Sequence, residues 1–67
     1  MATFKYFSDI AGEALELTGL TSMDNAEFAA RWPGTKGLRS DGYSKWVARA
    51  ANGQVMPVTR MIEYKSR

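Results

Sequence analysis

The N-terminal part of the chain alternates short apolar and polar segments in the manner of a β-hairpin. Phe4-Lys5-Tyr6-Phe7 has the aromatic composition of a strand. Asp9-Ile10-Ala11-Gly12 is typical of a turn, because glycine can adopt positive φ. In residues 13–18 polar and apolar positions alternate, which puts the two leucines on one face of a second strand. We therefore predict a β-hairpin over about residues 3–18, closed by Gly19.

The next segment has the pattern of one short helix. Asp24 is a good N-cap, and Glu27 follows three residues later, where its carboxylate can bond back to the cap amide. Phe28 and Trp32 are neighbours on one helix face at i, i+4, and a Pro-Gly pair then ends the helix. We predict a helix over about residues 24–32. Because so short a helix is unstable alone in water, it must pack against other elements.

Residues 33–42 are rich in glycine, hydroxyl and charged side chains. Glycine relaxes the backbone, and polar side chains stay in water. We predict a flexible basic loop here that adds nothing to the core.

A second hairpin is predicted in the C-terminal part. Residues 43–49 contain aromatic and β-branched positions and are followed by Asn52-Gly53, a strong signal for a hairpin turn. Residues 55–65 are again rich in β-branched and aromatic side chains. Pro57 places this strand at a sheet edge or marks a bulge, since proline cannot donate to the ladder. The predicted hairpin spans about residues 43–65.

These elements predict an α+β fold: two β-hairpins around one short helix, forming a small antiparallel sheet or a partly open barrel. The alternative is an all-α bundle with helices near 24–32, 43–51 and 57–66, because apolar residues after Pro57 also fit helical spacing. That bundle would resemble a helix-turn-helix. Its first loop would be about ten residues long, well above the usual three or four.

Size and composition predict a single small domain over residues 1–67. The hydrophobic fraction of 45% and the charged fraction of 24% are those of an ordinary globular protein. No apolar run approaches the roughly 18 residues of a membrane span, and the N-terminus lacks the pattern of a signal peptide. We predict a cytoplasmic location and no membrane partner.

The chain contains no Cys and no His. Disulfides and thiolate metal sites are therefore excluded, and the commonest transition-metal ligand and general base is missing. The sequence also lacks a phosphate-binding Walker loop and a dinucleotide fingerprint. We predict that the protein is not an enzyme and uses neither a metal nor a cofactor.

Charge is divided unevenly along the chain. Residues 1–33 carry two cations and five carboxylates, a balance of −3, whereas residues 34–67 carry seven cations and two carboxylates, a balance of +5. The basic half can neutralise phosphates while an aromatic ring stacks on an exposed base. The candidate nucleic-acid-binding residues are Lys36, Arg39, Tyr43, Lys45 and Arg49. The competing interpretation is that these cations are merely exposed to water, without a ligand, and that Trp46 belongs to the core.

Several short segments resemble small phage and prophage proteins of uncharacterised function. The segments are Asp9, Gly12 and Leu15, followed by residues 17–20, 25–31, 39–43 and 57–65. In those proteins the Ile-Glu-Tyr-Lys segment leads into a Cys- and His-rich tail that resembles a metal site. The 67 residues here have no such tail, so the resemblance implies no metal role. It implies a phage origin and a place in the host cytoplasm.

Two kinds of partner remain open. The first is nucleic acid, bound weakly by the basic half. The second is a host protein, on which the chain would dock as an inhibitor or adaptor through an exposed edge strand. The two can be told apart by salt, since phosphate contacts weaken steeply with ionic strength and apolar anchors do not.

Overall fold

The computed structural model describes residues 2–65 and shows an antiparallel sheet with one short helix. The elements in chain order are β1 (Ala2–Ser8), β2 (Leu15–Asp24), α1 (Asn25–Arg31), β3 (Ser44–Arg49), β4 (Val55–Pro57) and β5 (Arg60–Lys65). The five strands lie in the order β4-β3-β2-β1-β5. The predicted α+β class is confirmed. The all-α alternative is wrong, because β3, β4 and β5 occupy most of its second and third helices.

The sheet is open. Within residues 2–65, β4 and β5 each pair on one side only, so they are its two edges and no barrel closes. Pro57 lies in an edge strand, as its missing N–H predicted.

A first hairpin joins β1 to β2, but its bounds differ from the predicted 3–18, since β2 begins at Leu15 and runs on to Asp24. Gly12 N–H donates to Asp9 O at 3.1 Å, with Gly12 at φ 91°, and β1 pairs antiparallel with β2 from Tyr6 opposite Leu17 onward. Gly19 does not close it, contrary to the prediction. Instead Gly19, at φ 70°, lies in a bulge from which β2 continues to pair with β3. Positive φ is needed at this bulge as it would be at a turn, and the sequence signal for both is the same.

The helix is close to its predicted position. Asp24 Oδ2 accepts a hydrogen bond from Ala26 N–H at 3.0 Å and is the N-cap. The Glu27 carboxylate pairs with Arg31 at 3.3 Å rather than with the cap amide. Phe28 and Trp32 meet edge to face, with ring centroids 5.1 Å apart.

The second hairpin is present only in part. β3 pairs with β4 across a three-residue loop, with Ala50 N–H donating to Gln54 O at 2.9 Å and Gly53 N–H to Ala50 O at 2.9 Å. Gly53 has φ 85°, whereas Asn52 does not have positive φ. The turn is therefore the longer type with glycine in the left-handed position, not a two-residue Asn-Gly turn.

The prediction that the second hairpin continues to residue 65 is wrong. After Pro57 the chain makes one more bond to β3, from Val58 N–H to Trp46 O at 3.2 Å, and then changes partner. Thr59 N–H donates to Phe7 O at 2.9 Å, and β5 pairs antiparallel with β1 from Ala2 to Phe7. The reason is long-range: β1 has an unpaired edge that β5 satisfies.

The two faces of β3 have different roles. Trp46 and Ala48 point into the main core, where Ala48 is buried with Leu17, Met56 and Val58. Lys45, Val47 and Arg49 alternate with them and so point to the opposite face, called here the outer face. The helix packs on this outer face, since the Lys45 ammonium lies over the ring of Phe28.

Candidate functional site

The connection from helix to sheet ends in a small hairpin, residues 39–45, called here the 39–45 hairpin. Arg39 and Lys45 form an isolated antiparallel bridge at its base. Backbone hydrogen bonds flank this pair, from Trp46 N–H to Leu38 O at 2.8 Å and from Ser40 N–H to Ser44 O at 3.0 Å. The bridge is therefore a non-hydrogen-bonded pair, the type in which the two backbones and side chains come closest.

Two positive side chains thus stand side by side. Directly opposite residues of an antiparallel pair share one face, with Cβ atoms roughly 4.5–5.5 Å apart. Arg39 is exposed and Lys45 is half-buried. Like charges in this arrangement repel and reduce stability. The arrangement is what an anion needs, because both cations can reach the same negative group.

Lys45 is held in place by Phe28. Its Nζ lies 4.9 Å from the centroid of the Phe28 ring, within range of a cation–π interaction. Phe28 itself is 1% exposed, so its position is fixed by packing. Lys45 as a whole is half-buried and its ammonium lies over the ring, so the side chain has less freedom to lose on binding than a fully exposed lysine.

Tyr43 lies near the tip of the same hairpin. Its N–H donates to Asp41 Oδ1 at 2.7 Å, and its carbonyl oxygen accepts from Asn25 N–H at 2.9 Å. The backbone of Tyr43 is therefore fixed on both sides. Its side chain is nevertheless 81% exposed, the most exposed large hydrophobic side chain of the described residues.

The segment that carries this hairpin is anchored, contrary to the predicted flexible loop without core residues. Leu38 packs against the main core, and its N–H donates to Val58 O at 3.0 Å. Gly37 lies directly against the ring of Phe28. The signal that sequence reasoning missed is Leu38, the one large apolar residue within a polar segment.

The remaining two candidates lie further from the Arg39–Lys45 pair. Arg49 is on the outer face of β3, roughly 13 Å along the strand from Lys45. Its Nη1 donates to Gly53 O at 3.3 Å, so the side chain bends toward the β3–β4 turn. Lys36 is exposed and precedes Arg39 by three residues. The structure therefore brings Arg39, Lys45 and Tyr43 together in one hairpin, whereas Arg49 lies further along β3 and Lys36 lies before the hairpin in the chain.

Ion pairs among the described residues lie elsewhere. Three are formed: Lys5–Glu16 at 4.0 Å, Arg31–Glu27 at 3.3 Å and Arg60–Asp9 at 3.4 Å. Three of the five carboxylates of residues 1–33 are thus paired with cations outside the 39–45 hairpin. Residues 36–45 contain three cations and one carboxylate, that of Asp41. The hairpin segment itself therefore carries an excess of positive charge, with Asp24 of β2 opposite Ser44 beside it.

Three further observations apply to residues 2–65. No group of three or more carboxylates is placed to hold a metal ion. No pocket is found on the surface of this part of the chain. None of its helices has the length and apolar character needed to cross a membrane.

Comparison of the chain with protein-family models, with curated proteins and with solved structures finds no match. The resemblance to small phage and prophage proteins therefore stays a prediction.

Proposed function

We propose that this protein is a small, non-catalytic binding module of phage or prophage origin that acts in the host cytoplasm and holds nucleic acid through the 39–45 hairpin. The contacts would come from Lys36, Arg39, Tyr43, Lys45 and Arg49. The observation that carries the proposal is the pairing of Arg39 with Lys45 at the closest type of antiparallel position. A fold gains no stability from such a pair, so a bound anion accounts for it better than packing does.

Nucleic acid fits this surface because it presents a row of phosphates rather than one isolated anion. The Arg39–Lys45 pair would contact one phosphate, and Lys36 and Arg49 would contact others along the strand. The backbone of the hairpin is already ordered by its own hydrogen bonds. Little ordering is then required on binding, which favours affinity.

The expected affinity is low. Contacts with three phosphates, one of them shared by Arg39 and Lys45, give a slope of log K against log salt of about −2 to −3. Binding of this kind, without base-edge contacts, has dissociation constants on the order of 10⁻⁴ to 10⁻⁶ M at physiological salt.

The direct test is a fluorescence-polarisation titration of labelled oligonucleotides at two salt concentrations. We expect binding at low salt that weakens steeply as salt is added. Absence of binding at low salt would overturn the proposal, as would binding that does not respond to salt.

A host protein is the second candidate partner, and the β5 edge favours it. Met61 lies opposite Tyr6 on one face of the β1–β5 pair, and Phe4 shares that face. Met61 is 50% and Phe4 43% exposed, so this face presents uncovered apolar side chains next to an unpaired strand edge. An extended segment of a partner could add a strand here. Met61→Lys and Phe4→Lys would then abolish capture of that partner, whereas Arg39→Gln would leave it unchanged. The opposite pattern would reject this surface.

A further inference from the structure

Tyr43 combines a fixed backbone with an uncovered ring. Its N–H and its carbonyl oxygen are both engaged in hydrogen bonds, to Asp41 and from Asn25 respectively. The side chain nonetheless contributes nothing to the core, since it is 81% exposed. An aromatic ring held this way is ready to stack on a flat partner without losing backbone freedom.

We infer that the nucleic acid bound by the 39–45 hairpin is single-stranded, with an unpaired base stacked on Tyr43; this rests on the function proposed above. In a duplex, each base is covered on both faces by its neighbours and cannot accept a protein ring. In a single strand the base is free to stack, and aromatic side chains are the usual platforms.

The neighbouring cations support the same ligand. Tyr43 precedes Lys45 by two residues, so their Cα atoms are at most about 7 Å apart. A short stretch of strand could then place one base on the ring and an adjacent phosphate on the Arg39–Lys45 pair. This combination of stacking and phosphate contact is how single strands are held without sequence preference.

Trp46 does not provide the stacking surface. It packs against the main core and is only partly exposed, and its backbone is bonded on both sides, to Leu38 and Val58. Presenting its ring would require dismantling the core. Tyr43 is therefore the aromatic side chain of the 39–45 hairpin that a base can reach, and the test changes this side chain.

The test compares a short single strand with a duplex of the same length, titrated with the wild type, Tyr43→Leu and Tyr43→Phe. Leucine removes the ring and keeps an apolar side chain, whereas phenylalanine keeps the ring and removes the hydroxyl. Because Tyr43 is so exposed, both variants are expected to keep the wild-type circular dichroism spectrum.

The inference predicts that Tyr43→Leu weakens single-strand binding by about 5- to 150-fold, with little effect on the duplex. Tyr43→Phe is expected to bind like the wild type. Equal losses on both ligands, or no loss on the single strand, would overturn the inference while leaving phosphate binding intact. Failure of the wild type to bind either ligand at low salt would reject the proposed function itself, and the inference with it.

Discussion

The ring of Phe28 fills the space that a side chain at position 37 would need. A Cβ built on Gly37 would overlap the Phe28 Cζ atom and lie 3.0 Å and 3.1 Å from the two Cε atoms. The helix and the segment leading to the 39–45 hairpin are therefore packed against each other through a glycine. Since Lys45 Nζ also lies over this ring, Phe28 contacts both Gly37, which leads to the hairpin, and Lys45 within it.

Gly37→Ala should displace either the ring or the segment. Forcing an extra methyl group into a packed contact destabilises by about 1–3 kcal/mol. Gly42→Ala is the matched control, because a Cβ at Gly42 meets nothing within 4 Å and neither glycine has positive φ. Urea denaturation of both variants measures the difference. Equal midpoints would show that the contact between Gly37 and Phe28 is unimportant.

Phe28→Ala should prevent folding. Truncating a buried aromatic residue costs about 3–5 kcal/mol, which is comparable with the whole stability of a domain this small. Phe28→Leu keeps apolar volume but loses the contact with Lys45, so it should fold and be less stable than the wild type. Thermal unfolding followed by circular dichroism tests both. A cooperative transition for Phe28→Ala at the wild-type temperature would show that the helix is peripheral.

Removing either of two hydroxyl groups near the end of β1 should change the free energy of unfolding, with opposite signs for the two. Ser8 Oγ is buried and has no hydrogen-bond partner within residues 2–65, so Ser8→Ala should stabilise by about 1 kcal/mol. Thr59 Oγ1 accepts from Asp9 N–H at 2.9 Å, so Thr59→Val should destabilise by about 1–3 kcal/mol. The free energies of unfolding in urea decide the matter. Loss of stability in Ser8→Ala would indicate that its hydroxyl is satisfied in solution.

Asp41→Asn should strengthen binding of nucleic acid. The amide oxygen of asparagine can still accept from Tyr43 N–H, so the tip of the hairpin keeps its shape. Removing the carboxylate takes away the only negative charge within residues 36–45, although Asp24 still lies opposite Ser44 in the β2–β3 pair. Affinities for single strand and duplex at low salt should both rise, and the gain should shrink as salt is added. Weaker binding in this variant would mean that the carboxylate contacts the ligand favourably.

The sequence predicted what local chemistry determines and missed what distant partners determine. Asp24 and the Asp9–Gly12 turn were predictable because each acts within a few residues. The sequence does not distinguish a bulge from a turn at Gly19, because both use positive φ, and only the pairing of β2 with β3 shows that it is a bulge. The change of partner at Thr59 was unpredictable, since it depends on a strand about fifty residues earlier in the chain.

For the site, clustering of cations in sequence indicated the right region but not its arrangement. Arg39 and Lys45 are six residues apart, and nothing in their spacing shows that they are directly opposed. That register comes from Leu38, whose backbone bonds and core contact align the two arms of the hairpin. Arg49 is separated from the pair by the length of β3, which the charge pattern did not reveal.

The role of the Arg39–Lys45 pair is tested most directly by the salt dependence of single-strand binding in Arg39→Gln, Lys45→Met and Lys5→Gln. Each variant loses one positive charge, but Lys5 lies on β1, where it pairs with Glu16. Methionine at position 45 keeps an unbranched apolar chain over Phe28. Because Arg39 and Lys45 would share one phosphate, Arg39→Gln and Lys45→Met should each reduce the slope of log K against log salt by up to about 0.7, the value for that phosphate on a single strand, while Lys5→Gln keeps the wild-type slope. Equal slopes in all three variants and the wild type would contradict a role for the pair in binding the strand.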